Sequence, residues 1–391
     1  MIKATKEMVL ATTITGSLPR PGWYTANLAG RPFRLAMADS VFREQYNDAV
    51  SCFLRDQERA GLDILTDGDC RFDTDVGGRS WVTYPAQRIR GMTAYDHTTR
   101  HTNWGGTAPG ELLYELLEAR MLPIVTDKVG RGPLEYGPLW KTAQKMTRKP
   151  VKFGAITAEC IESTCGNEYY KDRKELIMDL AAVINEEVLD LAKSGCPVVQ
   201  MEEPWVHRVE HHEDDKGIGI DFYVEAFNRS VRGLGDLTEV WCHTCWGSPG
   251  AQRFYDEGTQ TYARSLEKLN ELDADVITFE CAGSPEWEFE EIGRAITEKK
   301  IAIGVVNHRL LQVETPEKVA RMVREALKHI PPERLILSSD CGFGREGMSR
   351  RHAFYKMAAI VRGGNIVRKE LGIPEADCVA EDPRFNLVDA E

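Results

Sequence analysis

No stretch of this 391-residue chain offers the roughly 18 consecutive apolar residues that a membrane-spanning helix needs. The opening residues, Met1-Ile-Lys-Ala-Thr-Lys-Glu, lack the basic-then-apolar order of a secretion signal, so a cytoplasmic protein is expected. Positive charge is also short: 49 lysines and arginines face 61 aspartates and glutamates, a net charge of −12. That balance argues against a nucleic-acid partner, because phosphate binding needs a basic face. No Gly-x-Gly-x-x-Gly follows the first apolar run, which weakens any dinucleotide-binding reading. Internal repeats and low-complexity segments are missing as well. What remains is an ordinary globular composition, with hydrophobic residues at 42% and charged residues at 28%.

Cysteine is not scarce. Ten are present, and in a cytosolic chain they are not expected to form a disulfide framework. Most are expected to be small buried hydrophobes. The informative ones are those placed where chemistry can happen.

Eight short apolar, β-branched runs punctuate the chain at residues 9–14, 62–65, 151–156, 197–201, 239–242, 275–279, 301–306 and 335–339. Helical patterns lie between most of them. Residues 172–193 place Leu176, Ile177, Leu180, Val183, Ile184 and Val188 three and four apart. Thr315-Pro316-Glu317 opens another helix with an N-cap threonine and a first-turn proline. Residues 349–368 read as the last helix. Strands alternating with helices predict an α/β fold, a single (β/α)8 TIM barrel spanning residues 1–391. An open doubly wound sheet is the rival. The long connection between strands two and three, residues 76–149, predicts an insertion or cap.

In such a barrel the active site lies at the C-terminal strand ends. The polar residues there are Ser17, Asp67, Asp69, Glu202, Glu203, His243, Cys245, Glu280, Asn307, His308, Asp340 and Cys341. His243-Thr244-Cys245 places two ligands on one side of a strand, since residues two apart face the same way. Cys341 and Glu280 end other runs and can supply a thiolate and a carboxylate. Two thiolates, an imidazole and a carboxylate suit tetrahedral Zn2+. The bland alternative for a lone His-x-Cys is a core cysteine beside a satisfied histidine. Cys242 and Cys281 fall on the opposite strand face and are expected to pack.

These segments also carry a family likeness. Thr12-Thr13-Ile14-Thr15-Gly16-Ser17-Leu18-Pro19, Gln200-Met201-Glu202-Glu203-Pro204, His243-Thr244-Cys245, Asp275-Val276-Ile277-Thr278-Phe279-Glu280 and Asp340-Cys341-Gly342 occur in family order. The sequence resembles the catalytic barrel of cobalamin-independent methionine synthases and their single-barrel relatives, which include epoxyalkane:coenzyme M transferases. At the level of fold the barrel also resembles uroporphyrinogen decarboxylase. The resemblance implies zinc ligands at His243, Cys245, Glu280 and Cys341. It implies that Gly16 and Ser17 border the carboxylate of an amino-acid thiol such as homocysteine, and that Glu202 and Asp69 hold its amino group. Asn307-His308-Arg309 stands where the family has Asp-Ile-His. There His308 is the candidate general acid and Asn307 a candidate substrate contact, with Glu202 also assigned to the catalytic set. The family's folate-holding aromatic segment is not recognisable.

The leading expectation is methyl transfer to homocysteine or a similar small thiol bound as a zinc thiolate. The donor is a methylated folate, methylcobalamin or another methyl compound. The alternative keeps the site and opens an epoxide with coenzyme M, for which Arg309 and Arg345 are candidate sulfonate partners. A third reading is a tetrapyrrole- or cobalamin-binding barrel without alkyl transfer. His207, His211 and His212 are read as incidental surface histidines, and Trp205 and Trp246 as pocket walls. Barrels of this size often form homo-oligomers, which is a base rate and not a property of these residues.

Overall fold

Period-two alternation along each short strand divides its residues between two environments. The computed structural model describes residues 3–73, 80–93, 123–202, 204–208, 217–247, 260–284, 286–344 and 348–381. Eleven strands are described: β1 (Ala11–Thr12), β2 (Leu65–Thr66), β3 (Arg90–Met92), β4 (Ile124–Gly130), β5 (Val151–Ile156), β6 (Gly166–Asn167), β7 (Val198–Glu202), β8 (Glu239–His243), β9 (Val276–Phe279), β10 (Lys300–Val306) and β11 (Leu335–Ser339). Eight of them form one sheet in the order β1-β11-β10-β9-β8-β7-β5-β2, every pairing parallel. The order runs round in sequence and returns to its start, so the sheet is a barrel and not the rival open sheet.

The join between β1 and β2 has no ladder. The Asp63 and Ile64 N–H groups both donate to Thr12 O, at 3.0 and 3.1 Å, and Thr13 Oγ1 donates to Ile64 O at 2.9 Å. Asp63 Oδ2 also accepts from Thr12 N and Oγ1, each at 2.8 Å. Here the expected strands are shorter than their apolar runs. Leu10 has φ of 51°, a left-handed conformation that breaks the extended run before Ala11. Residues 62–64 turn toward Thr12, so β2 begins only at Leu65.

Three helices fall close to where the periodicity puts them. Asp172 caps Arg173–Lys193 by accepting from Lys174 N, Thr315 caps Pro316–Ala326 from Lys318 N, and Ser349 caps Arg350–Glu370 from His352 N. Their apolar faces join a large cluster that also holds Cys242 and Cys281, the two cysteines expected to pack. A separate small cluster of Ala11, Ile64, Val198, Trp241, Val276, Ala302 and Ile336 takes residues from seven segments and fills the lower barrel interior. Above that layer the inward positions turn polar: Val198 gives way to Gln200 and Glu202, Trp241 to His243, and Val276 to Thr278 and Glu280.

Within 76–149, β3 and β4 pair antiparallel, and β6, which follows that segment, adds to β4 to give a second sheet of three strands. Residues 76–79 and 94–122 of the expected insertion, with Trp104, lie outside the described residues. So do Glu203, His211, His212 and Arg345.

Candidate active site at the strand ends

The end of β8 and the turn after β11 bring three ligating groups together. One ligand atom each from His243, Cys245 and Cys341 falls within 4.8 Å of the others. The two sulfurs are 3.4 Å apart. His243 is buried, and its Nδ1 meets Thr278 Oγ1 at 2.7 Å. A partner on Nδ1 fixes the ring and turns Nε2 toward the role of a ligand, were a metal bound. Burial first, then the charges of Lys152 and Arg208, push the imidazole down to about 3. It is therefore neutral at pH 7, the form that binds a metal. Soft thiolates with a neutral imidazole fit a thiophilic divalent cation.

Glu280, the fourth expected ligand, lies beside this group. Its Oε2 accepts from Trp246 N at 2.9 Å, one residue beyond Cys245. Arg309 Nη2 lies 2.7 Å from Oε2 and 2.6 Å from Oε1, and both side chains are nearly sealed from solvent, at 8% and 0% exposure. Arg309 also donates to Gly247 O through Nε and Nη2.

A second set lies beside the first. Glu202 and His243 are register partners on adjacent strands. A Cβ built on Gly16 would sit 3.1 Å from Asp69 Oδ2 and 3.2 Å from Glu202 Oε1, so both carboxylates converge on that glycine. A Cβ on Gly154 would lie 2.5 Å from Glu202 Oε1. Glycine at both places keeps room for two carboxyl groups. Asp69 Oδ1 meets Arg71 Nη2 at 3.2 Å, and Asp67 Oδ2 lies 3.6 Å from Arg71 Nη1. Asp67 Oδ1 accepts from Asp69 N at 2.9 Å. Arg71 is fully buried, its guanidinium 4.5 Å from the Phe153 ring centre and 5.7 Å from that of Tyr136. Lys152 donates to Gln200 Oε1 at 2.6 Å, and Gln200 Nε2 donates to Glu202 Oε1 at 2.9 Å. Burial raises Asp69 to about 7, against the lowering effect of Arg71. Burial likewise lowers Lys152 to about 7, against the charges of Glu202 and Asp69. Three carboxyl groups thus share two basic partners, and Asp69 Oδ2 is buried without a hydrogen-bond partner.

The remaining expected residues rim these two sets. Ser17 Oγ accepts from Gly344 N at 3.3 Å and Ser17 O from Phe343 N at 2.8 Å, which ties the Gly16-Ser17 loop to the turn after Cys341. His308 is buried, its Nε2 3.3 Å from Gly247 O. Asn307 Oδ1 accepts from Arg309 N at 2.7 Å, so its amide shapes the turn. Trp246 is buried against Tyr262, ring centres 5.1 Å apart, and Trp205 is half-buried beside Tyr223.

One expectation is corrected. His207 is not an incidental surface residue: it is 1% exposed, and its Nε2 meets Cys245 O at 2.8 Å, where Arg208 Nη2 also donates. The backbone carbonyl of a ligand residue gives it a partner that no sequence spacing reveals. Arg71 and Lys152 were missed too. Lys152 carried a readable signal, since it stands two residues before inward-facing Gly154.

An eight-stranded α/β barrel whose strand ends gather two thiols, an imidazole and paired carboxylates is built as an enzyme active site. The sequence matches the family described as cobalamin-independent synthase, catalytic domain, over residues 10–362. It is 29% identical over 368 residues to a methionine synthase of Saccharolobus islandicus, covering 93% of this chain and 96% of that one. A methionine synthase of Thermococcus kodakarensis is 30% identical over 370 residues, covering 93% and 95%. Among solved structures, a B12-independent methionine synthase from a Shewanella species, in complex with selenomethionine, superposes with a TM-score of 0.75 at 25% identity, covering 93% of this chain and 99% of that one. The chain belongs to the cobalamin-independent methionine synthase family.

Proposed function

We propose that this protein is a zinc-dependent S-methyltransferase whose acceptor is homocysteine or a closely similar aminothiol. The observation that carries the reading is the adjacency of two sets: a thiophilic ligand group and, one strand away, a buried carboxylate pair with room for one more positive charge. An aminothiol has both complements in one small molecule. Coenzyme M has the thiol but brings a sulfonate, which the carboxylates of Asp69 and Glu202 would repel.

His243, Cys245 and Cys341 would hold the zinc, which when bound lowers the pKa of a coordinated thiol and keeps it as a nucleophilic thiolate. Asp69 and Glu202 bind the substrate ammonium and fix its orientation. Gly16 leaves the space for that ammonium, and Ser17 borders the substrate carboxylate. His308 carries a proton for the leaving group of the methyl donor. A methylated folate, methylcobalamin and a simpler methyl compound all remain donors to be compared.

The test is zinc content in the wild type and in Cys341→Ser, with proton release followed on adding homocysteine or coenzyme M. The reading expects about one zinc per chain, lost in the variant, and proton release with homocysteine. Release with coenzyme M alone would move the acceptor to the sulfonate thiol. A wild type that binds no zinc would remove the reading.

A further inference from the structure

Lys152 lies one layer below the carboxylates, where nothing in the proposed reaction calls for an amine. We propose that Lys152 is a positioning residue that sets the preference for a thiol carrying an amino group: it holds the Gln200 amide, the amide holds Glu202 Oε1 beside Gly16, and there Glu202 and Asp69 receive the substrate ammonium. The inference rests on the aminothiol reading above and deepens it.

The placement follows from the strands. Lys152 and Gly154 are two apart on β5 and face the same side. Gly154 and Gln200 are register partners, as are Ile156 and Glu202. Lys152 is 1% exposed, and its Nζ lies 4.6 Å from the Trp241 ring centre. Trp241 belongs to the small apolar cluster that fills the lower barrel. The amine thus stands on an apolar floor with the polar layer above it. Burying it there is costly, and a methionine of similar length would suit the floor better.

What the lysine gains is the Gln200 oxygen. Its Nζ donates to Gln200 Oε1 at 2.6 Å. The amide N–H groups are then spent upward and across, on Glu202 Oε1 at 2.9 Å and Thr15 O at 2.8 Å. A peptide oxygen can only accept, so the amide nitrogen has to face Thr15 and the amide oxygen has to face the lysine. Burial lowers the amine to about 7, but charged or neutral it has an N–H to give. Every polar atom of the Gln200 side chain is therefore used, and Glu202 Oε1 is held at one point. That point lies 3.2 Å from where a Gly16 Cβ would be, with Asp69 Oδ2 at 3.1 Å from the same place. With methionine at 152, Gln200 Oε1 is buried without a donor. The amide then shifts to find one, and Glu202 loses its hold.

The experiment compares two thiols on the Zn2+-loaded protein by titration calorimetry: homocysteine and γ-mercaptobutyrate, which is homocysteine without its amino group. Wild type, Lys152→Met, Gln200→Leu and the double variant are measured, with circular dichroism as the check on folding. Wild type is expected to prefer homocysteine. Lys152→Met is expected to weaken homocysteine about 10-fold, the worth of a hydrogen bond to a charged group, and to leave γ-mercaptobutyrate and zinc content unchanged. Because Lys152 acts through Gln200, the double variant should match Gln200→Leu within about twofold. Its two apolar replacements leave neither partner stranded, which covers the case in which Lys152→Met does not fold. Equal weakening of both thiols would overturn the inference and make Lys152 a general support of the barrel. Unchanged homocysteine binding in a folded Lys152→Met would overturn it too, as would a double variant in which the two losses add. A wild type that binds both thiols alike would instead defeat the aminothiol reading beneath it.

Discussion

Two buried polar clusters share the mouth of the barrel and treat charge in different ways. On the side of β2, β5 and β7, the charges of Asp67, Asp69 and Glu202 are met from within by Arg71 and Lys152. On the side of β8 and β11, two sulfurs stand 3.4 Å apart with a Gly247 N–H at 3.3 Å from Cys245 Sγ. The Arg309 guanidinium on that side meets Glu280. In the proposed function the first cluster is nearly complete and selects its ligand by a cationic group. The second consists of donors that become useful only with a cation supplied from outside. A fold can therefore prepare two kinds of recognition a single strand apart, one by near-balance and one by deficit.

Four changes test that contrast, the largest first. Cys245→Ser removes a thiolate and is expected to cut metal affinity by more than about 100-fold and abolish methylation, with the carboxylate side intact. Chelator competition and a methylation assay read it; retained metal would break the contrast. Arg71→Met strands Asp67 and Asp69, and unfolding in urea should show a loss of about 3–5 kcal/mol. A loss below 1 kcal/mol would mean that the carboxyls are neutral and the cluster is not a balance of charges. Glu202→Gln is expected to raise the KM for an aminothiol by about 10–100-fold, the worth of a charged hydrogen bond, and to leave the metal content alone. A fall in kcat with unchanged KM would shift Glu202 from binding to chemistry.

The smallest effect is in pH. Asp69 is raised to about 7, above the roughly 3.9 of an unfolded aspartate. Between those values the folded protein keeps a proton that the unfolded chain has lost. This contribution to stability therefore falls as pH rises from about 4 to about 7, and Asp69→Asn should flatten the decline. Aminothiol binding moves the other way, weakening as pH drops below about 7 and Asp69 loses its charge. Titration calorimetry across that interval, on wild type and Asp69→Asn, separates the two.

Much of this was legible in the amino-acid sequence, for a physical reason. The strand ends are short apolar runs that stop at ligating residues, so the His243, Cys245 and Cys341 group could be read from alternation and barrel geometry alone. The capped helices at Asp172, Thr315 and Ser349 were legible because capping is local. Arg71 and Arg309 were not read in these roles. Each is buried by partners that arrive from distant strands, and a guanidinium two residues from Asp69 or beside His308 looks like any surface charge until the barrel closes. His207 hid for the same reason, since its partner is a backbone carbonyl 38 residues away.

The seam between β1 and β2 sets an order of events. Its two sides share no ladder, and the last long helix reaches across to hold them: Arg368 Nη2 donates to Leu10 O at 2.9 Å and to Asp63 Oδ2 at 2.6 Å. Those contacts span 358 and 305 residues of chain. On a ribosome, the first two strands emerge long before the arginine that clasps them. They must wait, loosely joined, until the helix Arg350–Glu370 has been made. Such distant closure is slow to form and leaves strand edges exposed meanwhile. The oldest part of the nascent barrel is thus the last to be secured.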